Sequence, residues 1–204
     1  METWTLRVTA IHPEALDTKT FFLQRVDGGP FLYQAGQFLT LLFTFHDHEL
    51  RRSYSFSTTP GVDPIPAITV KRIPNGEISR HLLDHVQPGD TLTALPPAGR
   101  FVLPSRQPGP SPGSLSPVRE SPGPLPERAD LPPEQFHLCM IAAGSGLVPI
   151  FSLIKHALVQ QTTEEISLSH PPPPPITLIT QPHEPASTPV RQALTTLQAT
   201  YGPS

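Results

Sequence analysis

A single cysteine, Cys139, occurs in 204 residues. That excludes an internal disulfide framework, and it excludes a four-cysteine zinc or iron–sulfur site built from this chain alone. A lone thiol fits a reducing compartment. Also missing is any basic stripe with interleaved aromatics. The net charge is −3 and the pI near 6.3, so the electrostatic footprint of a nucleic-acid binder is absent and a small-molecule or protein partner is expected. The opening METWTLRVTA has neither the basic start nor the apolar core of a signal peptide, which together with the thiol points to a cytoplasmic location. One apolar run, LCMIAAGSGLVPIFSLI at 138–154, approaches the length of a membrane-spanning helix. Gly144, Gly146 and Pro149 interrupt it and Lys155 and His156 follow, a placement that a strand, a turn and a helix explain better than a span.

What the chain has in excess is proline and glycine. Its 29 prolines and 13 glycines are about a fifth of all residues, well above ordinary usage, while hydrophobic residues reach only 37%. Part of the chain is therefore expected not to fold. The prolines concentrate at 105–135, where apolar side chains are too few to offset the entropy of ordering, and at SHPPPPP, 169–175, which favours polyproline II. The first reads as a linker or disordered insertion and the second as a spacer, with recruitment of a proline-binding partner as the alternative.

Residues 4–103 favour strands. TWTLRVTAI, TKTFFLQRV, GQFLTLLFTF, RRSYSFS, AITVKRI and DTLTALP are short, several alternate apolar and polar residues, and turn residues such as Asp27-Gly28-Gly29-Pro30 separate them. Six such strands with little helix predict a small antiparallel barrel. One helix interrupts them: in NGEISRHLLDHVQPGD, Ile78, Leu82, Leu83 and Val86 share a face, Asn75-Gly76 turns into it and Pro88-Gly89 stops it. After the linker the pattern changes. FHLCMIAA is a buried strand, GSGLVP a turn, FSLIKHALVQQ a helix, ITLIT a second strand and VRQALTTLQATY a second helix, which predicts a parallel sheet.

Three stretches carry chemistry. In RRSYSFST, alternation puts Arg52 and Tyr54 on one face of a strand and Ser53 and Ser55 on the other. A guanidinium neutralises a phosphate with paired donors, an aromatic ring covers a flat heterocycle, and hydroxyls bond ring heteroatoms, so the set suits a nucleotide-like cofactor. A solvated edge strand is the plainer alternative. In AAGSGLVP, 142–149, a Gly-x-Gly turn between strand and helix lets backbone approach a pyrophosphate, although Pro149 stands where the dinucleotide fingerprint has its third glycine. Ser79 in the first turn of its helix, with Gly76 before it, offers either an anion contact or an ordinary cap. The nine histidines form no pair with metal-site spacing, and no metal site is expected.

Taken in order, Arg52-Ser53-Tyr54-Ser55, VKR at 70–72, Gly76-x-x-Ser79, GDTLTALPPAGRF at 89–101 and AAGSGLVPIFSLIK at 142–155 resemble the ferredoxin-NADP reductase superfamily, nearest to the reductase components of bacterial oxygenases. The resemblance implies an all-β antiparallel Greek-key barrel of six strands with one capping helix in residues 1–104, followed after the 105–135 linker by an incomplete α/β parallel-sheet nucleotide-binding domain in 136–204. It implies that Arg52 holds the flavin phosphate, with Ser53 beside it, that Tyr54 lies against the isoalloxazine, and that Ser55, the one catalytic candidate, bonds near its reactive N5. Thr69, Val70 and Lys71 would contribute backbone contacts to the ribityl-phosphate portion, and Gly76, Ile78 and Ser79 would close on the pyrophosphate, which prefers FAD over FMN. Gly144, Ser145, Gly146 and Pro149 would receive NADH or NADPH. The implied reaction carries electrons from the nicotinamide through the flavin to an iron–sulfur protein or domain. The α/β portion is short for this family and lacks its later Cys-Gly segment and C-terminal aromatic. A flavin-binding remnant without nicotinamide-dependent activity is therefore the second reading, and a proline-rich interaction protein on a barrel scaffold the third.

Overall fold

The computed structural model describes residues 2–45, 48–103, 137–164 and 176–181. The proline-rich stretches at 105–135 and 169–175 and the helix expected at 190–201 lie outside them. Six strands form one antiparallel sheet: β1 (Trp4–Ala15), β2 (Thr18–Arg25), β3 (Phe38–Phe45), β4 (His48–Ser55), β5 (Ala67–Lys71) and β6 (Thr91–Ala94). Their order is β4-β3-β6-β1-β2-β5, so the last strand inserts between the two hairpins β1–β2 and β3–β4. The two outer strands, β4 and β5, then meet. An antiparallel bridge joins Phe56 to Ile68, and the Ser57 amide donates to the Ala67 carbonyl at 2.9 Å, which closes the sheet into a barrel.

Closure follows from the alternation read in the sequence. Leu6, Val8, Phe21, Leu23, Leu39, Leu41, Phe56, Ile68, Val70 and Leu92 are buried in the core; on β1, β3 and β6 their strand neighbours are more exposed, whereas on β5 Ala67 and Thr69 are buried as well. Helix α1 (Glu77–Asp84) caps one end, inserting Ile78, Leu82 and Leu83 into the same core. Its C-terminal end is held by Lys19, whose ammonium donates to the Leu83 carbonyl, and by the Arg72–Asp84 ion pair.

Beyond the linker, β7 (Leu138–Ala143) pairs in parallel with β8 (Ile176–Gln181), and α2 (Leu147–Glu164) connects them after one 3-10 turn at Gly144–Gly146. The helix starts at Leu147, several residues before the start expected from FSLIKHALVQQ. Pro149 lies inside its first turn rather than in a loop, because the amides of a first turn need no intrahelical acceptor and a proline there gives up nothing. Met140 and Ala142 of β7 pack under Leu147, Ile150 and Ile154 of α2. On the opposite sheet face Ile141 and Ile179 stand side by side in register, both exposed. Among the described residues the parallel sheet has two strands and a helix on one face, consistent with an incomplete nucleotide-binding domain.

Helix α2 also packs on the barrel. Ala35 belongs to its apolar cluster, and Leu153 lies against Gly36. Val148, Ser152 and Lys155, at helical spacings of four and three, share a face, and of these Ser152 and Lys155 bond to the loop after β4. The run at 138–154 is thus a strand, a turn and a helix start, and among the described residues no helix is long and apolar enough to cross a membrane.

Candidate functional site

Where β4, the end of β5, the entry to α1 and the start of α2 converge, they enclose a cleft of about 400 Å³. That volume lies within the range of small-molecule and cofactor sites. Its walls are Arg52, Ser53, Tyr54 and Ser55 from β4, Thr69, Lys71 and Ile73 from β5 and its exit, Gly76, Ile78 and Ser79 from the α1 entry, and Ser145 and Val148 from the α2 entry.

The β4 wall is fixed by the ladder to β3, in which Arg52 faces Leu41, Ser53 faces Thr40 and Tyr54 faces Leu39. Ser53 shares a 2.8 Å hydroxyl contact with Thr40. Arg52 spends one donor on the Arg51 carbonyl at 2.7 Å and makes no ion pair among the described residues, which leaves most of its donor fork for a ligand. Ser55, half-buried, makes no side-chain hydrogen bond among the described residues. Tyr54 leans on the barrel core, and burial pushes its phenol up to about 12, with nearby Arg52 opposing the shift. Tyr33 is likewise raised to about 12 by burial, against the opposing effect of its hydrogen bond to Thr58.

These two phenols predict the alkaline behaviour of the fold. Unfolded tyrosine ionises near pH 10, so below that value both states are neutral and the stability is complete. Between about pH 10 and about pH 12 the unfolded chain releases protons that the folded one keeps, and stability falls. The urea midpoint should drop across this window, and Tyr54→Phe should flatten the drop while leaving the neutral-pH midpoint nearly unchanged.

On β5, Val70 directs its side chain into the core, so only its backbone is left for the cleft, whereas Thr69 and Lys71 line it. The Thr20 hydroxyl donates to Glu14 at 2.7 Å, so Thr69, 2.7 Å from Thr20, must be the donor in that second contact. Lys71 lies 3.4 Å from Asp17. At the α1 entry, Gly76 is the N-cap residue. A Cβ there would come within 2.6 Å of the Ser79 hydroxyl and 2.8 Å of the Ile73 Cβ, so the turn closes this tightly only with glycine. Ser79 is not itself the cap. Its oxygen accepts from the Ile73 amide at 3.1 Å and its proton goes to the Gly76 carbonyl at 3.3 Å, tying the loop to the helix start.

At the α2 entry, Ser145 reaches the cleft, while Gly144, Gly146 and Pro149 are not among its lining residues. With α2 running from Leu147, its second residue, Val148, lines the cleft, and Pro149, about 100° further round the helix, does not. Val148 and Ile73 were the lining residues missed in the sequence. The spacing of Val148 to Ser152 and Lys155 was the available signal for the first; Ile73 had none, since it follows the last paired residue of β5.

The closed antiparallel barrel thus presents at its rim a guanidinium with one internal hydrogen bond, a half-buried phenol, hydroxyls and a glycine-tight turn. Residues 6–103 match the family model of the oxidoreductase FAD-binding domain. The barrel is an FAD-binding, ferredoxin-NADP reductase-like domain. It is 33% identical over 155 residues to a flavohemoprotein of Pseudomonas aeruginosa, covering 76% of this chain and 32% of that protein. It is 32% identical over 158 residues to the ferredoxin reductase component of 3-ketosteroid-9-alpha-monooxygenase from Rhodococcus rhodochrous, covering 76% and 37%. The chain therefore spans about a third of the length of these two curated relatives. In fold it is similar to the FAD/NAD binding domain of a Vibrio cholerae nitric oxide dioxygenase, with a TM-score of 0.70 at 23% identity, covering 98% of this chain and 70% of that one.

Proposed function

We propose that this chain is the FAD-binding part of an NAD(P)H-dependent flavoprotein reductase, with a flavin barrel in 1–104 and the start of a nicotinamide-nucleotide unit in 136–204, working in the cytoplasm with an iron–sulfur protein or domain as electron acceptor. The observation that carries it is the convergence in one cleft of Arg52, Tyr54, Ser55, Thr69, Lys71, Gly76 and Ser79 from three barrel elements with Ser145 and Val148 from the α2 entry. The donor set fits FAD. Arg52 and the peptide groups of the Gly76 turn meet phosphate, Tyr54 offers a ring face beside a flat heterocycle, and the uncommitted Ser55 hydroxyl is free to bond a ring nitrogen. FAD, when bound, supplies the exchange between the two-electron chemistry of a nicotinamide and the one-electron chemistry of an iron–sulfur centre. The protein binds it, orients it and covers it. For Gly144, Gly146 and Pro149 the proposal is a nicotinamide contact outside the cleft itself. A Cβ at Gly146 would meet only open space, so packing does not require glycine there and close approach of a ligand would.

Titration of the purified chain with FAD, followed by absorption and fluorescence, is expected to give one bound flavin per chain. No binding at micromolar flavin would overturn the proposal. Rapid mixing with NADH and NADPH then separates two readings. Bleaching by either nucleotide supports the reductase; bound flavin that neither bleaches supports a flavin-binding unit without nicotinamide activity, a reading favoured by the two parallel strands found among the described residues.

A further inference from the structure

Thr59 and Ser152 are 93 residues apart in sequence, fully buried, and joined by a hydrogen bond. The Thr59 hydroxyl donates to the Ser152 carbonyl at 2.9 Å, the Ser152 hydroxyl donates to the Thr58 carbonyl at 2.7 Å, and the two side-chain oxygens are 3.3 Å apart. Around this pair the loop is immobilised from the barrel side. Thr58 Oγ1 accepts from the Ala67 amide at 2.8 Å and contacts the Tyr33 hydroxyl at 2.8 Å, and the Thr59 amide donates to Asp63 at 2.6 Å. Asp63 in turn pairs with Lys155, one turn along α2 from Ser152.

We propose that the Thr59–Ser152 pair is a positioning latch that sets the rotation of α2, and so keeps Ser145 and Val148 over the cleft wall that carries Arg52–Ser55. The function given to that wall rests on the FAD reading above. Apolar packing of Leu153 and its neighbours holds α2 near the barrel but is indifferent to small rotations of the helix, because burial is not directional. Hydrogen bonds are directional. Ser152 follows Val148 by one helical turn on the same face, and Thr58-Thr59 continue the same chain run as Ser55 with Phe56 and Ser57 bonded into the barrel between them. The cleft wall, the latch and the cleft mouth are therefore linked by a short rigid path. None of the latch residues lines the cleft.

The test uses the full 204-residue chain. Thr59→Val keeps the shape of the side chain and removes the donor; Thr59→Ser keeps the hydroxyl. In Thr59→Val, amide hydrogen exchange across 147–155 should speed up about tenfold relative to the barrel strands. Iodide quenching of bound-flavin fluorescence should rise, while the FAD dissociation constant, set by the barrel residues, changes less than about threefold. Thr59→Ser should return both signals toward wild type. Ser152→Ala is the second variant and should reproduce the Thr59→Val pattern. Unchanged exchange at 147–155 in both hydroxyl-deleting variants would overturn the latch, as would equal impairment by Thr59→Val and Thr59→Ser. If the wild-type chain binds no FAD, the cofactor reading fails by itself and the exchange arm still decides the latch.

Discussion

Arg52→Ala is expected to weaken FAD binding by about tenfold to a hundredfold, the range of a charge-assisted hydrogen-bonding contact to phosphate. Removal of this guanidinium takes away a cation that the described residues do not neutralise, at a position where its one internal bond is to a neighbouring carbonyl. Stability should change little, because the side chain is exposed and the ladder from β4 to β3 is made by backbone. Arg52→Lys should fall between the two, since an ammonium keeps the charge and loses the planar fork. Flavin titration of the three proteins, alongside urea denaturation of each, checks both halves. Equal affinities across the series would remove Arg52 from the cofactor site.

Gly36→Ala is expected to lower stability by about 3 kcal/mol, or roughly 10 °C in Tm, without touching any cleft residue. Gly36 sits at φ +88°, and a Cβ there would come within 2.0 Å of the Phe101 carbonyl and 2.9 Å of Leu153. The leucine can move, but the carbonyl is main chain and cannot move without shifting the barrel exit. Gly61→Ala is the control. At φ +78° it bears the backbone strain alone, with nothing within 4 Å of the added carbon, and it should cost only about 1 kcal/mol. Calorimetry on both variants separates strain from collision. A Gly36→Ala loss no larger than that of Gly61→Ala would mean that the chain near Phe101 yields freely.

Both predictions depend on features of unequal legibility. Arg52 was legible through the resemblance of Arg52-Ser53-Tyr54-Ser55 to a flavin motif, since alternation alone left a solvated edge strand as the plainer account. Gly36 was invisible as a constraint: its collision partners, Phe101 and Leu153, are remote in sequence and meet it only after the barrel closes and α2 docks. The start of α2 was misplaced for a related reason. Pro149 reads as a breaker in isolation, yet a first-turn proline costs a helix nothing, and the buried faces of Leu147 and Val148 extend the helix back to the glycine turn. The readings at 105–135, 169–175 and 190–201 fall outside the described residues.

By itself the sequence determined the six strands, the capping helix and the change to a parallel β/α unit, because alternation, helical spacing and turn residues are local and survive without knowledge of neighbours. Only the tertiary structure decided that β4 and β5 close through Phe56 and Ile68, that Val148 rather than Pro149 faces the cleft, and that Thr59 and Ser152 join barrel to helix. Those contacts join segments from 12 residues apart, at Phe56 and Ile68, to 93 apart, at Thr59 and Ser152, and no local pattern encodes which carbonyl a buried hydroxyl will find.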